Sequence, residues 1–300
     1  MSSGISRTAF LTLLLIAAMM GANHVAARFA FNDSVSVMTA VIFRSGVTAS
    51  IIALLLWRQR VILQFSNRHK RFLPVIGSLI AVQSFCLYSA VARLPVALAL
   101  LAFNTYPLWT AFWARVIYQH RAEPFVLKAM PVMLFGLALA LDVLGAASGL
   151  GANAHWQQIG NGVAFATTAA ATFALAMVLT QHELLSIDGR VRTAYTLGTV
   201  LLLTTAFALS SGDWSLPATT TGWWGLAGLT VLYGTAFTLM FSLLPRLGVV
   251  GNSAIMNVEP VFALALAWLL LGQAIAPIQV LGALIVVTTV IVLGLRKQAT

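Results

Sequence analysis

The sequence predicts an all-α membrane protein: ten transmembrane helices arranged as two inverted five-helix repeats. Three observations carry that expectation. The composition is too apolar for water, the charge-free runs have spanning length, and one motif recurs at a fixed spacing. Of the 300 residues, 60% are hydrophobic and only 8% charged, with a mean hydropathy of +0.94. Too little polar side chain is left to cover a soluble globule. Arg93, Asn104, Pro107 and Pro124 reappear as Arg246, Asn257, Pro260 and Pro277, each 153 residues later. Ser89, Leu94 and Val96 match Ser242, Leu247 and Val249 at the same shift, so the chain reads as a duplication.

The elements follow in order. Residues 72–92, 94–114, 193–212, 214–245 and 260–295 carry no Asp, Glu, Lys or Arg, and a helix needs about 20 residues to cross the hydrocarbon. Divided at Gly, Pro and polar punctuation, the chain gives spans at 8–30, 35–57, 72–92, 94–118 and 126–145. A second set lies at 158–180, 192–211, 222–244, 249–271 and 276–295. The first repeat therefore covers 8–145 and the second 158–295. Strands of a membrane barrel would alternate polar and apolar residues, whereas these runs are uniformly apolar. With an odd number of helices per repeat, the second copy starts on the opposite side of the membrane, which makes the repeats inverted. Arg7 and the apolar stretch behind it also suit a signal peptide. Retaining them as the first span leaves residues 158–180 with a counterpart.

The net charge of +10 is explained by position rather than by an acidic partner. With the N-terminus inside, the cytoplasmic loops receive Arg7, Arg58, Arg60, Arg68, Lys70, Arg71, Arg121, Lys128, Arg190, Arg192, Arg246, Arg296 and Lys297, and the outer side receives Arg28 and Arg93. That distribution places both termini in the cytoplasm of a multi-pass protein of the plasma (bacterial inner) membrane. The Arg58–Arg71 cluster reads as a topology determinant that also suits anionic headgroups, and nucleic acid is not an expected partner. Cys86 lies alone in an apolar run, so no disulfide forms within the chain.

Glu259 is the leading candidate for function, because a carboxylate some ten residues into an apolar helix is costly. It can exchange a proton during a transport cycle or attract the amino group of a substrate. Arg44, inside the second span, offers a fork for a carboxylate or reaches the headgroups by snorkelling. His24, in the outer part of the first span, shares a helix face with Arg28 and is the second candidate for proton exchange. Asn104 and Asn257 each precede a proline by three residues in equivalent helices, where the amide can satisfy freed backbone or meet a ligand. Tyr106, Trp109, Trp113, Tyr88 and Tyr233 are the aromatics expected to face a central cavity, and Gln83 is the polar residue nearest the middle of the third span. Asp142 is expected at a span end, solvated by the interface. Nothing points to an enzyme or a cofactor: metal spacing is missing, as is a Gly-rich phosphate loop, and His182-Glu183 lacks the second histidine of a zinc protease helix.

The segment Asn257-Val258-Glu259-Pro260-Val261-Phe262-Ala263-Leu264-Ala265-Leu266-Ala267-Trp268-Leu269-Leu270-Leu271-Gly272-Gln273, followed by Pro277 and Gly282, resembles the closing repeat of the EamA family, part of the drug/metabolite transporter superfamily. Asn104-Thr105-Tyr106-Pro107-Leu108-Trp109-Thr110-Ala111-Phe112-Trp113 echoes it in the first repeat. The resemblance implies a monomeric inner-membrane carrier with a cavity between its halves, commonly an exporter of amino acids or other metabolites. Its implied partners are a small-molecule substrate and the lipid bilayer. A lipid flippase or a non-transport membrane subunit is the rival reading; a lipid carrier is expected to open sideways into the bilayer. Gln273 departs from the family, where a glutamate commonly follows the glycine.

Overall fold

A computed structural model of the chain describes residues 7–61, 65–120, 124–142, 152–243, 258–273 and 276–296. They form eleven helices: α1 (Arg7–Asn32), α2 (Val37–Arg58), α3 (Asn67–Arg93), α4 (Val96–Phe103), α5 (Tyr106–Tyr118), α6 (Pro124–Ala140), α7 (Ala152–Glu183), α8 (Gly189–Ser211), α9 (Thr220–Leu243), α10 (Glu259–Leu271) and α11 (Pro277–Arg296). Six segments are long and apolar enough to cross a membrane: α1, α2, α3, α4 with α5, α7 and α8. Shorter apolar stretches lie within α6, α10 and α11.

The fourth span, expected as one helix, is broken. Pro107 supplies no amide hydrogen, so it cannot bond back to a carbonyl of the preceding turn. α4 accordingly stops at Phe103, and α5 starts with Pro107 in its first turn, where a missing N–H costs nothing. The carbonyls at the end of α4 are met locally, by the Asn104 amide on Leu100 O at 2.8 Å and the Thr105 hydroxyl on Ala102 O at 2.8 Å. In the second repeat α10 likewise starts with a proline in its first turn, at Glu259-Pro260. Glu259 is the first residue of α10, and residues 244–257 lie outside the described residues.

The duplication extends to backbone geometry. α5 and α10 end on left-handed residues 153 positions apart, Gln119 (φ 57°) and Gly272 (φ 62°). Each cap is closed by the same bond, His120 N–H to Ala114 O at 3.1 Å and Gln273 N–H to Ala267 O at 3.3 Å. Gln273 also turns its side-chain oxygen to Val96 N–H at 3.2 Å, capping α4, which gives the family's unusual residue here a structural task.

The repeat shift pairs α1 with α7, α2 with α8, α3 with α9, α5 with α10 and α6 with α11, while the counterpart of α4, residues 249–256, lies outside the described residues. Helix packing obeys it: α1 lies on α9 as α3 lies on α7, α2 on α9 as α3 on α8, and α1 on α10 as α5 on α7. α2 and α8, and α6 and α11, pack on their own counterparts, and α4 packs on α10. The halves thus interleave. Lipid removes the hydrophobic drive between helices, so close approach depends on small residues. A Cβ on Gly225 of α9 would lie 2.6 Å from Ala30 N and 2.9 Å from Ala26 O, which shows that α9 meets the backbone of α1 directly. Asp142, expected in solvated surroundings, is buried just beyond α6 with φ 49°.

Candidate functional site

Two buried polar clusters with opposite charge potential meet between the halves. In the first, His24 of α1 places Nε2 3.3 Å from Oε1 of Glu259, on the N-terminal turn of α10. α1 reaches that turn because Gly21 lets it pack closely on α10: a Cβ there would touch Glu259 O and Ala263 N at 3.0 Å. The geometry suits His24 donating to an ionised carboxylate, or a protonated Glu259 donating to a neutral imidazole; one hydrogen lies between the pair in either case.

The second cluster surrounds Arg44 of α2, which is 4% exposed. That burial decides against snorkelling to the headgroups. Its Nη2 donates to Ser84 Oγ at 2.7 Å and its Nη1 to Tyr88 Oη at 3.4 Å. The guanidinium carbon also lies 4.0 Å from the centroid of the Tyr233 ring and 4.7 Å from that of Tyr88, so two aromatic faces receive the cation. Tyr88 links the clusters. Its hydroxyl donates to Asn23 Oδ1 at 3.0 Å, and its ring stands 5.7 Å from that of His24.

Three donor or acceptor atoms in these clusters have no partner: Asn23 Nδ2, His24 Nδ1 and Arg44 Nε. Among the described residues, the carboxylates that meet a basic side chain do so in the pairs His24–Glu259, Arg68–Glu183 and Asp188–Arg190. Arg44 is in none of them. A buried cation without a carboxylate is expensive in a membrane and marks a place where a ligand can supply one.

Of the residues the sequence singled out, His24, Arg44, Tyr88, Tyr233 and Glu259 come together here. Gln83 joins at the edge, accepting from Ser84 Oγ at 3.3 Å. Tyr106 is the repeat counterpart of Glu259, close enough for its phenol to interact electrostatically with the carboxylate, and it packs on Phe103 and Phe173. Asn104 instead serves its own helix end. Trp109 packs on Phe112, and Trp113 donates to Ala171 O at 3.0 Å, so neither shares a bond or ring contact with the network among the described residues. Asn257 lies outside the described residues. The sequence reading missed Asn23 and Ser84; their only signals are their places beside His24 and Gln83.

The site is not duplicated. Under the repeat shift Asn23, His24, Arg44, Ser84 and Tyr88 become Ala176, Met177, Leu197, Phe237 and Phe241. One set of polar groups therefore serves the whole molecule. Placed along their helices at 1.5 Å per residue, these groups lie roughly 8–20 Å from the membrane end that holds the α1–α2 turn.

Hydrogen bonds tie helices together at both ends, above and below this network. At one end Asp33 accepts from Thr219 N–H at 2.8 Å, a bond that holds its carboxyl below the usual carboxylate range, while Ser215 Oγ donates to Ser34 O at 2.6 Å. At the other, Glu183 of α7 meets Arg68 of α3 and accepts from Tyr118 Oη of α5 at 2.6 Å, with His182 stacked on Tyr118 at 3.7 Å between centroids. The counterparts of Arg68, Tyr118 and Glu183 are Thr221, Leu271 and Ala30, so the charged latch exists at one end alone. Glu183→Gln is expected to loosen that end. A cysteine placed at Ser84, in a background with Cys86 replaced, should react with a membrane-impermeant thiol reagent roughly 2–5-fold faster from the Glu183 side, in keeping with a latch exposed to water.

A many-helix membrane bundle with a single occluded polar site between repeat-like halves is the architecture of a membrane transporter. The chain belongs to the EamA-like transporter family, whose profile matches residues 7–141 and 160–295. Comparison with curated proteins gives no match. One solved structure, described only as a crystal structure of protein, superposes with a TM-score of 0.59 over 93% of this chain and 96% of its own, at 19% identity. At that identity the likeness speaks for the fold.

Proposed function

We propose that this protein is a secondary transporter that exports amino acids, or similar small amphipathic metabolites, across the bacterial inner membrane. Its working unit is a monomer of ten spans in two inverted repeats, with both termini in the cytoplasm, and it catalyses no covalent chemistry. The observation that carries the reading is the pairing of opposite functions in one occluded network: an unpaired guanidinium at Arg44 and a carboxylate–imidazole pair at Glu259 and His24. A zwitterion fits both poles, its carboxylate on Arg44 and its ammonium on Glu259. Arrival of the ammonium displaces His24 from Glu259, so substrate and proton compete for one carboxylate. That competition is the simplest way to couple export to proton entry. Alternating access follows by loosening the Asp33 lacing and the Glu183 latch in turn.

The test is uptake by liposomes containing the purified protein, offered labelled amino acids and the amines that lack their carboxyl group. The wild type should prefer the amino acid by about 10–100-fold, and Arg44→Gln should erase that preference, since one charge-assisted contact is worth about 1.5–3 kcal/mol. A variant that keeps the preference, or a wild type that transports no amino acid, overturns the reading.

A further inference from the structure

The unpartnered atoms around Arg44 also bear on the carrier when it holds no substrate. Asn23 is fully buried, and its amide nitrogen is a donor without an acceptor. Arg44 Nε is a second such donor, on a guanidinium whose carbon already lies over the rings of Tyr88 and Tyr233 and whose Nη2 is spent on Ser84. The two donors belong to one constellation, because Tyr88 Oη bonds both side chains: it donates to Asn23 Oδ1 and accepts from Arg44 Nη1. No carboxylate oxygen of the described residues lies within 4.0 Å of the guanidinium. Ring faces and hydroxyl oxygens share the positive charge but do not cancel it. Glu259 is engaged with His24.

We propose that Arg44 and Asn23 form a resident anion site, filled in the substrate-free carrier by a small monovalent inorganic anion of the halide type. The edge of the guanidinium and the Asn23 amide are the groups that hold it. The substrate carboxylate then enters by exchange for this anion, so that the positive charge of Arg44 is compensated at every stage of the cycle. This second half rests on the reading of Arg44 as the carboxylate-binding pole. The first half does not, because it concerns the empty protein.

Thermal unfolding of the purified full-length protein tests the site without any transported substrate. Sodium chloride and sodium bromide are compared with sodium isethionate, a bulky organic anion, at equal ionic strength. The site predicts a saturable rise in Tm of roughly 3–6 °C in halide over isethionate, as expected for a ligand near a hundred times its Kd. Asn23→Asp puts a carboxylate on the far side of the Tyr88 hydroxyl, two hydrogen bonds from the guanidinium, and supplies a counter-charge internally. This variant should melt at the same temperature in all three salts, at or above the wild type in isethionate. A wild type indifferent to the anion overturns the proposal, as does an Asn23→Asp protein that keeps the halide response. If Asn23→Asp does not fold, Arg44→Gln takes its place, and loss of the halide response supports the site while its retention overturns it. Transport separates the two halves: chloride should raise the KM for a carboxylate-bearing substrate at unchanged maximal rate. If no amino acid is transported, the function proposed above fails while the melting comparison still decides the anion site.

Discussion

Replacing Glu259 by Gln is expected to uncouple transport from protons and to weaken substrate binding by about 10–150-fold, the equivalent of one charge-assisted hydrogen bond. The size follows from the site. Glu259 is the only carboxylate in the network among the described residues, and it opens α10 beside His24 at 3.3 Å. A glutamine keeps the shape and can still accept from His24, so the fold should survive. It can neither take up a proton nor balance an ammonium. In proteoliposomes, a pH gradient should accelerate wild-type uptake and leave the variant unaffected. Gradient-driven uptake that persists in Glu259→Gln would falsify the coupling role and reduce Glu259 to a structural partner of His24. Uptake that ignores the gradient even in the wild type would make the protein a facilitator.

A large effect on folding is expected at Gly225. A side chain there collides with main-chain atoms of α1 rather than with a movable side chain, Ala30 N and Ala26 O being nearest. Relief requires α1 and α9 to separate, and α1 carries Asn23 and His24. Gly225→Leu should therefore destabilise the protein by about 3 kcal/mol or more, at the upper end of overpacking effects, and remove activity with it. Thermal melting in detergent reads the first effect. Gly198, with open space around its Cβ position, provides the control. Equal melting of the two leucine variants would show that the helices yield easily at this crossing.

The candidate site was partly legible because membrane burial makes some residues conspicuous. Glu259, Arg44 and His24 stand out against apolar runs, since a titratable group in hydrocarbon needs a reason to be there. Asn23 and Ser84 carry no such cost, because small polar side chains can satisfy themselves on a helix backbone. Thr48, for example, donates to Arg44 O at 2.7 Å within its own helix. The same property misled in the other direction for Asn104, whose symmetry with Asn257 suggested a ligand but whose amide closes the end of α4. Trp109 was placed by its helix face alone, and a face does not say which neighbour covers it.

Pro107 and Pro260 were visible as helix perturbations, yet the break they cause depends on local hydrogen bonds that replace the lost ones. Where an Asn and a Thr could take the freed carbonyls, α4 ended and α5 began anew.

By itself the sequence determined the solvent, the duplication and the kind of residue that bears the chemistry, because hydropathy, a fixed spacing and the cost of buried charge are properties of the chain alone. Only the tertiary structure decided that His24 meets Glu259, that Arg44 is cradled by Tyr88 and Tyr233 without a carboxylate, and that one end holds the Glu183 latch. The reason is geometric. Those contacts join residues 44–235 positions apart, between helices whose separation is set by the glycines and alanines where they cross, and no local pattern encodes that distance.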